Sequence, residues 1–449
     1  GGTLSSRLNG LDWRSVQQSL LHLLDALSTA HARGVIHRDI KPDNILMAPR
    51  GPVLSDFGIA FVEENIQQEA MERRILGTPS FMAPEQLRGE LCMYGPWTDL
   101  YAVGCLTFFA VTGERPFSGQ SLKAIAHAHC MAEVPPIKPR FQVPDGLGQW
   151  IQRLLRKAPH NRYQFAADAA LDLLKLDAEP LGSTPQSGYR VMRPEEDFWT
   201  HHTLTDPTVL SEPSFTADQT VDHLSEFTHS ERPEIPASWR PTQHEIRLQP
   251  KGELGRALFA WSNSNVSGRE PERAFMWSRL KDVRDQQRLR ILGLNGTAGI
   301  GKSTLAQWLR ERAHELGSAD AWVMTHELPN SYSCGLSGLL RRALRVQGLP
   351  PEKGHKQVER VCSRYGLTSF SDALKAILGE GRHTAPMPSR TISLVERYEA
   401  LSQLLAVLSQ ERTMIVVIDD VQWGDVALGW LEVLASRWPD LPVLVVCTL

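Results

Sequence analysis

The sequence predicts a multidomain protein: a mainly α-helical unit first, then an α/β unit built on a mostly parallel sheet. Three observations carry this reading. Helical apolar spacing dominates residues 13–176, with only short strand-like runs between the helices. From about 177 to 262 that periodicity gives way to Pro, Ser, Thr and acidic residues. From about 263 four apolar, strand-like runs alternate with helices, the pattern of a parallel sheet covered on both faces.

The elements follow in order. Residues 13–33 place Val16, Leu20, Leu23, Leu24, Leu27 and His31 on one helical face, and Gly34 ends the helix. Short runs at 35–36, 45–47 and 53–54 predict small strands around a loop, since Pro and Gly separate them. Residues 97–112 predict an apolar helix, and 147–157 and 165–176 amphipathic ones, closing the first unit near 176. Residues 177–262 read as an extended linker whose many hydroxyls could accept phosphate. Trp199, Trp239 and Trp261 argue against complete disorder there. The predicted strands of the last unit, 263–449, are RILGLNG (290–296), AWVMTHE (321–327), MIVVIDD (414–420) and VLVVCTL (443–449). Helices are expected at 303–316, 336–346 and 395–410, with LEVLASRWP (431–439) as a sheet-covering helix.

Composition narrows the class. The 449 residues allow two or three cores, and 42% hydrophobic with 22% charged residues is ordinary for a globular chain. A net charge of −3 supplies no field for nucleic acid or anionic lipid, and no apolar run reaches the length of a membrane span. The six cysteines form no CxxC pair and read as reduced thiols of a cytoplasmic protein. The pairs His201 with His202 and His127 with His129 lack zinc-site spacing. The chain opens without Met and ends in an apolar run, so both ends read as cuts in a longer protein.

HRDIKPDNILMAPRGPVLSDFG (37–58) places chemistry at informative intervals. Asp39 and Asn44 fit H-R-D-x-x-x-x-N, and Asp56 opens D-F-G after the next hairpin. Phosphoryl transfer needs an in-line acceptor hydroxyl, an acceptor for its proton and positive charge on the phosphoryl oxygens. Asp39 supplies the proton acceptor and Lys41 the cation for the γ-phosphate of ATP. Asn44 and Asp56 are hard oxygen ligands suited to Mg2+.

With those residues in view, segment 1–176 resembles the C-terminal lobe of a eukaryotic-type serine/threonine protein kinase. The resemblance continues through GTPSFMAPEQ (77–86), WTDLYAVGC (97–105) and NRY (161–163). It implies Ser/Thr substrates through Lys41, a contact of Thr78 with Asp39 and Lys41, a Glu85–Arg162 pair, and Asp99 receiving backbone N–H groups of the catalytic loop. His37 would pack and hydrogen-bond rather than act as a base. The N-terminal lobe, with its glycine-rich loop, strand lysine and helix glutamate, is absent from the sequence given. Such a segment alone should not transfer phosphate at a useful rate. Residues 59–77 hold no Ser, Thr or Tyr. Either Glu63, Glu64, Glu69 or Glu72 answers Arg38 in place of a phosphate, or these glutamates are solvated and Arg38 pairs elsewhere.

GTAGIGKS (296–303) fits the phosphate-loop pattern after a strand and at the start of a helix. Gly296, Gly299 and Gly301 let backbone N–H groups wrap phosphate, Lys302 reaches the β- and γ-phosphates, Ser303 ligates Mg2+, and Thr304 follows. MIVVIDD supplies Asp419 for the metal and Asp420 to orient water. The region resembles the AAA-like ATPase modules of signal-transduction NTPases, the STAND class. SGREPERAFMWSRL (267–280) looks like their adenine-side segment, and IDDVQWGD (418–425) like the wording after their second motif. In that class ATP more often sets a switch than drives fast turnover. The order kinase, linker, P-loop ATPase resembles bacterial multidomain regulators of the PknK-like kind. The leading expectation is thus a bacterial signal-transduction kinase acting on protein hydroxyls with ATP and Mg2+, with autophosphorylation of the linker open to it. A second reading is a nucleotide-switched scaffold whose kinase part only binds partners. Intact Asp39, Lys41, Asn44 and Asp56 argue against that reading, because a binding-only lobe needs none of them as a set.

Overall fold

The computed structural model describes residues 2–7, 12–48, 51–56, 79–176, 232–240, 268–326, 335–379 and 392–449. Thr78, the four glutamates between 63 and 72, Cys334 and linker positions 177–231 and 241–262 lie outside the described residues. The described residues between Gly1 and Ala178 and between Arg232 and Leu449 form one compact unit.

The front part is helical. Helix α1 (Trp13–Ala32) begins where the Asp12 carboxylate accepts the N–H of Ser15 at 2.9 Å, satisfying a donor the helix itself cannot. Its Leu20, Leu24 and Leu27 stripe is buried against α3 (Pro96–Thr112) and α6 (Ala166–Lys175). Helices α2 (Pro84–Leu87), α4 (Leu122–Met131) and α5 (Leu147–Leu154) complete this layer. Helix α3 is buried nearly all round, which explains its uninterrupted apolar reading. Strands β1 (Ile45–Ala48) and β2 (Gly51–Leu54) form the expected antiparallel hairpin, with Ile45 opposite Leu54. The expected strand at 35–36 is not one. The Val35 N–H is taken by the carbonyl of Ala30 and that of His37 by Asp99, so no ladder forms. Helix α4 was not legible, because among its residues only His129 is buried and no apolar stripe marks it.

The rear part runs α7 (Glu270–Gln286), β3 (Arg290–Leu294), α8 (Lys302–Glu315), β4 (Ala319–Met324), α9 (Gly335–Ala343), α10 (Pro351–Arg364), α11 (Ser371–Gly379), α12 (Leu394–Glu411), β5 (Thr413–Ile418), α13 (Asp425–Arg437) and β6 (Val443–Thr448). The sheet order is β3–β6–β5–β4, with every neighbour parallel. Central strands β5 and β6 are buried at every position. Their alternate residues feed two cores. Met414, Val416, Ile418, Val443 and Val445 face the layer holding Trp430 and Leu401. Ile415, Val417, Leu444 and Val446 face the layer holding Trp277 and Leu305. That double burial is why these strands read as unbroken apolar runs. Helices α10 and α11 had no sequence signal of comparable strength; α10 buries only Gly354, Val358 and Cys362.

One stretch read as linker belongs to a core. Ile235 is 5% exposed among Met276, Trp277 and Leu305. The Trp277 indole donates to the carbonyl of Pro236 at 2.8 Å, and Arg312 donates to that of Trp239 at 2.7 Å. Trp239 stands edge-on to Trp308, ring centres 5.2 Å apart, with the Arg273 guanidinium 4.2 Å above its ring. Residues 232–240 are thus a strap on the rear part.

Candidate functional site

The first cluster sits where α1 gives way to β1. Asp99 is 1% exposed at the start of α3. Its Oδ2 accepts the N–H of His37 and Nε2 of His31, both at 2.8 Å, and its Oδ1 accepts the N–H of Arg38 at 2.8 Å. Burial pushes this carboxyl up, but the His31 hydrogen bond, the two histidines and the Arg38 N–H outweigh it and hold it below the usual range. The loop this anchors is bent: Arg38 has φ 69, a left-handed conformation for a side chain that rarely adopts it. Its carbonyl accepts Nε2 of Gln86 at 2.8 Å. The His37 Nδ1 accepts the Asp39 N–H at 3.3 Å, so its Nε2 carries the hydrogen and donates to the carbonyl of Ser55 at 2.9 Å. His37 is thereby committed to structure.

Within this frame the predicted residues meet. Lys41 Nζ lies 2.7 Å from Asp39 Oδ2, and Asn44 Nδ2 donates to the same oxygen at 2.9 Å and to the Asp39 carbonyl at 2.8 Å. Asn44 is held by the first turn after Pro42, and its amide nitrogen is engaged twice, which leaves Oδ1 as its free ligand atom. Ser55 donates to the Asn44 carbonyl through N–H at 2.9 Å and Oγ at 3.1 Å. Asp56, with φ 54, follows Ser55 directly. Asn44 and Asp56 each offer hard oxygen of the kind Mg2+ takes. Behind the loop, Arg162 grips Glu85 with two bonds of 2.8 and 2.9 Å, both side chains fully buried. The Arg38 guanidinium lies 5.5 Å from the centre of the Tyr94 ring; the glutamates proposed as its partners fall outside the described residues.

The second cluster lies at the carboxyl ends of the parallel strands, where such sheets bind ligands. After β3 the chain turns through Gly299 (φ 79) and Gly301 (φ 92) into α8; only glycine adopts both without strain. Lys302 Nζ bonds the carbonyls of Gly296 at 2.8 Å and Thr297 at 3.2 Å, lying along the loop. Ser303 Oγ donates to Asp419 Oδ1 at 2.7 Å, immediately past β5. Thr304 continues α8, one residue further into the helix. Asp420 has φ 52; its carboxylate accepts from Gln422 at 3.2 Å and its N–H donates to Thr448 Oγ1 at 2.8 Å. The serine hydroxyl and Asp419 make a second oxygen pair that fits Mg2+.

Three residues here escaped the sequence reading. Thr448 Oγ1 donates to Asp419 Oδ1 at 2.6 Å, because β6 lies between β3 and β5. Nδ1 of His326, just past β4, bonds the Asp419 carbonyl at 2.8 Å. Gln86 is the third. A polar residue closing an apolar strand was the available signal for Thr448. Arg269, in the segment expected at the adenine side, donates to the carbonyl of Ile300 in the phosphate loop at 2.6 Å.

Two family models match the chain, one in each part. Residues 2–172 match the protein kinase domain, and residues 265–446 match the AAA ATPase domain. The chain therefore joins a protein kinase domain to an AAA ATPase domain. It is 29% identical over 387 residues to the serine/threonine-protein kinase PknK of Mycobacterium tuberculosis, covering 83% of this chain and 30% of that protein. It is 36% identical over 174 residues to the probable serine/threonine-protein kinase PknB of Bifidobacterium longum, 37% of this chain and 25% of that protein. A third relative, PknB of Mycolicibacterium smegmatis, is 36% identical over 154 residues, 34% of this chain and 24% of that protein. The chain thus spans only 24% to 30% of the length of these relatives.

Proposed function

We propose that this chain is the phosphotransfer and switch portion of a bacterial, cytoplasmic serine/threonine protein kinase that moves the γ-phosphate of ATP to protein hydroxyls. In this reading residues 1–176 are the C-terminal lobe of the kinase, 177–231 and 241–262 a linker open to autophosphorylation, and 263–449, with the strap 232–240, the ATPase module. One observation carries it: Asp39 is fixed between Lys41 and Asn44, on a loop whose backbone N–H groups are bound by a buried carboxylate.

Asp39 takes the proton of the acceptor hydroxyl as that oxygen becomes nucleophilic. Lys41, bonded to the same carboxylate oxygen, offsets charge at the transferring group. Asn44 and Asp56 would hold Mg2+, which neutralises phosphate charge when bound. In the second site Lys302 would take phosphate, Ser303 and Asp419 a second Mg2+, and Asp420 would order water. Among the described residues no helix is long and apolar enough to cross a membrane.

The test is labelled phosphate transfer by the full-length protein. Asp39→Asn should lower the rate by about 100-fold or more. A rate within twofold of wild type would overturn Asp39 as the proton acceptor, and no transfer by the wild-type protein would favour the scaffold reading instead.

A further inference from the structure

The two nucleotide-handling parts meet along one surface, and its position is informative. The last turn of α8, the helix whose first turn carries Lys302 and Ser303, lies against the last turns of α1. Ser28 Oγ donates to the Glu315 carbonyl at 2.6 Å, taking one of the acceptors the helix end leaves open. Arg33, at the C-cap of α1, bonds Glu315 Oε1 at 2.7 Å and lies 3.6 Å from Glu311 Oε2. These side chains are largely shielded, Glu311 at 3% exposure and the other two at 16%. Around this joint Arg412 pairs with Asp168 at 2.6 Å and lies 4.0 Å from the Phe165 ring, which is 4.7 Å from the His314 ring. Gly317 has φ 63, and a Cβ there would meet Asp168 and Ala167 at 3.0 and 3.1 Å.

Each end of this joint leads to a site. Helix α8 spans 14 residues, about 20 Å, from Glu315 back to the phosphate loop. On the other side His31, two residues before Arg33, bonds Asp99, and Asp99 holds the N–H groups of His37 and Arg38. A second contact runs parallel. Arg345 donates to the Tyr94 carbonyl at 2.9 Å, and the Tyr94 ring lies beside the Arg38 guanidinium.

We propose that the Arg33–Glu315 joint is a regulatory docking surface through which the occupancy of the phosphate loop and the position of the kinase catalytic loop are coupled. Helix α8 is the shared element, rigid between phosphate ligands at one end and the kinase helix at the other. Coupling of this kind is reciprocal, so a change on the kinase side must alter nucleotide affinity at Lys302. This rests on the reading of Lys302 as a phosphate ligand, and its readout does not require phosphate transfer.

The experiment titrates the full-length protein with a fluorescent ATP analogue and Mg2+, counting as phosphate-loop binding only the signal that Lys302→Ala removes. Arg33→Ala should shift that affinity by about fivefold or more, and Arg33→Lys, which keeps the charge, should restore part of it. A shift under twofold in Arg33→Ala overturns the joint. If Lys302→Ala removes none of the signal, the phosphate-loop reading falls, and the joint with it. Hydrogen exchange supplies a readout without interface variants. Nucleotide should change protection of residues 28–38 in wild type more than in Lys302→Ala, and equal change in the two overturns the coupling.

Discussion

Asp99→Asn probes the hinge between fold and chemistry. The replacement is isosteric, but a carboxylate with two acceptor oxygens becomes one acceptor and one NH2 donor. In the native site Oδ1 serves Arg38 N–H while Oδ2 serves His37 N–H and His31. Whichever way the amide turns, one backbone donor faces another donor and stays unsatisfied at a position 1% exposed. An unsatisfied buried donor costs about 1–3 kcal/mol, and the remaining bonds lose the strength an ionised acceptor gave them, roughly 1 kcal/mol more. Removing the charge returns part of its burial cost, so the net loss is about 1–3 kcal/mol. For a domain of roughly 150–250 residues that lowers Tm by roughly 2–12 °C. Melting of the purified full-length variant, followed by circular dichroism and by chemical denaturation, measures it. Phosphate transfer should fall with it even below the melting range, because the loop carrying Asp39 loses its anchor. A variant within about 0.5 kcal/mol of wild type, with unchanged transfer, would refute the assignment of Asp99 as that anchor.

Other consequences follow from the same geometry. His129 is fully buried, bonded through Nδ1 to Tyr101 at 3.0 Å, and burial pushes it down to about 4. The unfolded chain takes up its proton below about pH 6.5 while the folded one does not, so stability falls as pH drops from about 6.5 toward 4, by at most about 3 kcal/mol. His129→Gln should flatten that slope in denaturant titrations, and an unchanged slope would remove His129 as its source. Gly301→Ala forces a side chain to φ 92 and should cost about 1–3 kcal/mol locally, with phosphate-loop nucleotide affinity reduced about tenfold in direct titration. Ile235→Ala empties a core position of the strap and should destabilise the ATPase domain by about 2–4 kcal/mol; a loss under 0.5 kcal/mol would mean the strap is not part of that core.

Much of this was legible because the signals were local. The residues proposed to take phosphate and metal in the first site all lie within 39–56, and the hairpin that returns Ser55 to Asn44 is encoded by Pro and Gly between short apolar runs. The buried strands β5 and β6 were equally readable, since burial on both faces leaves no polar position to interrupt them. What escaped depended on partners distant in sequence. Thr448 reaches Asp419 only because β6 is inserted between β3 and β5, an order no single segment encodes. The strap at 232–240 reads as polar linker, since Ile235 and Trp239 find their neighbours 40 to 70 residues away, in Trp277 and Trp308. The α1–α8 joint is carried by charges that, read alone, look like ordinary solvated helix ends.

The central claim is that one chain holds two separate Mg2+–nucleotide sites. Calorimetric titration of the full-length protein with a non-hydrolysable ATP analogue and Mg2+ tests it most directly. The account predicts about two sites per chain, falling to one in Asp56→Asn and to one in Lys302→Ala, because each variant removes a different ligand set. A single site in the wild-type protein, or a count that Asp56→Asn leaves unchanged, would contradict it.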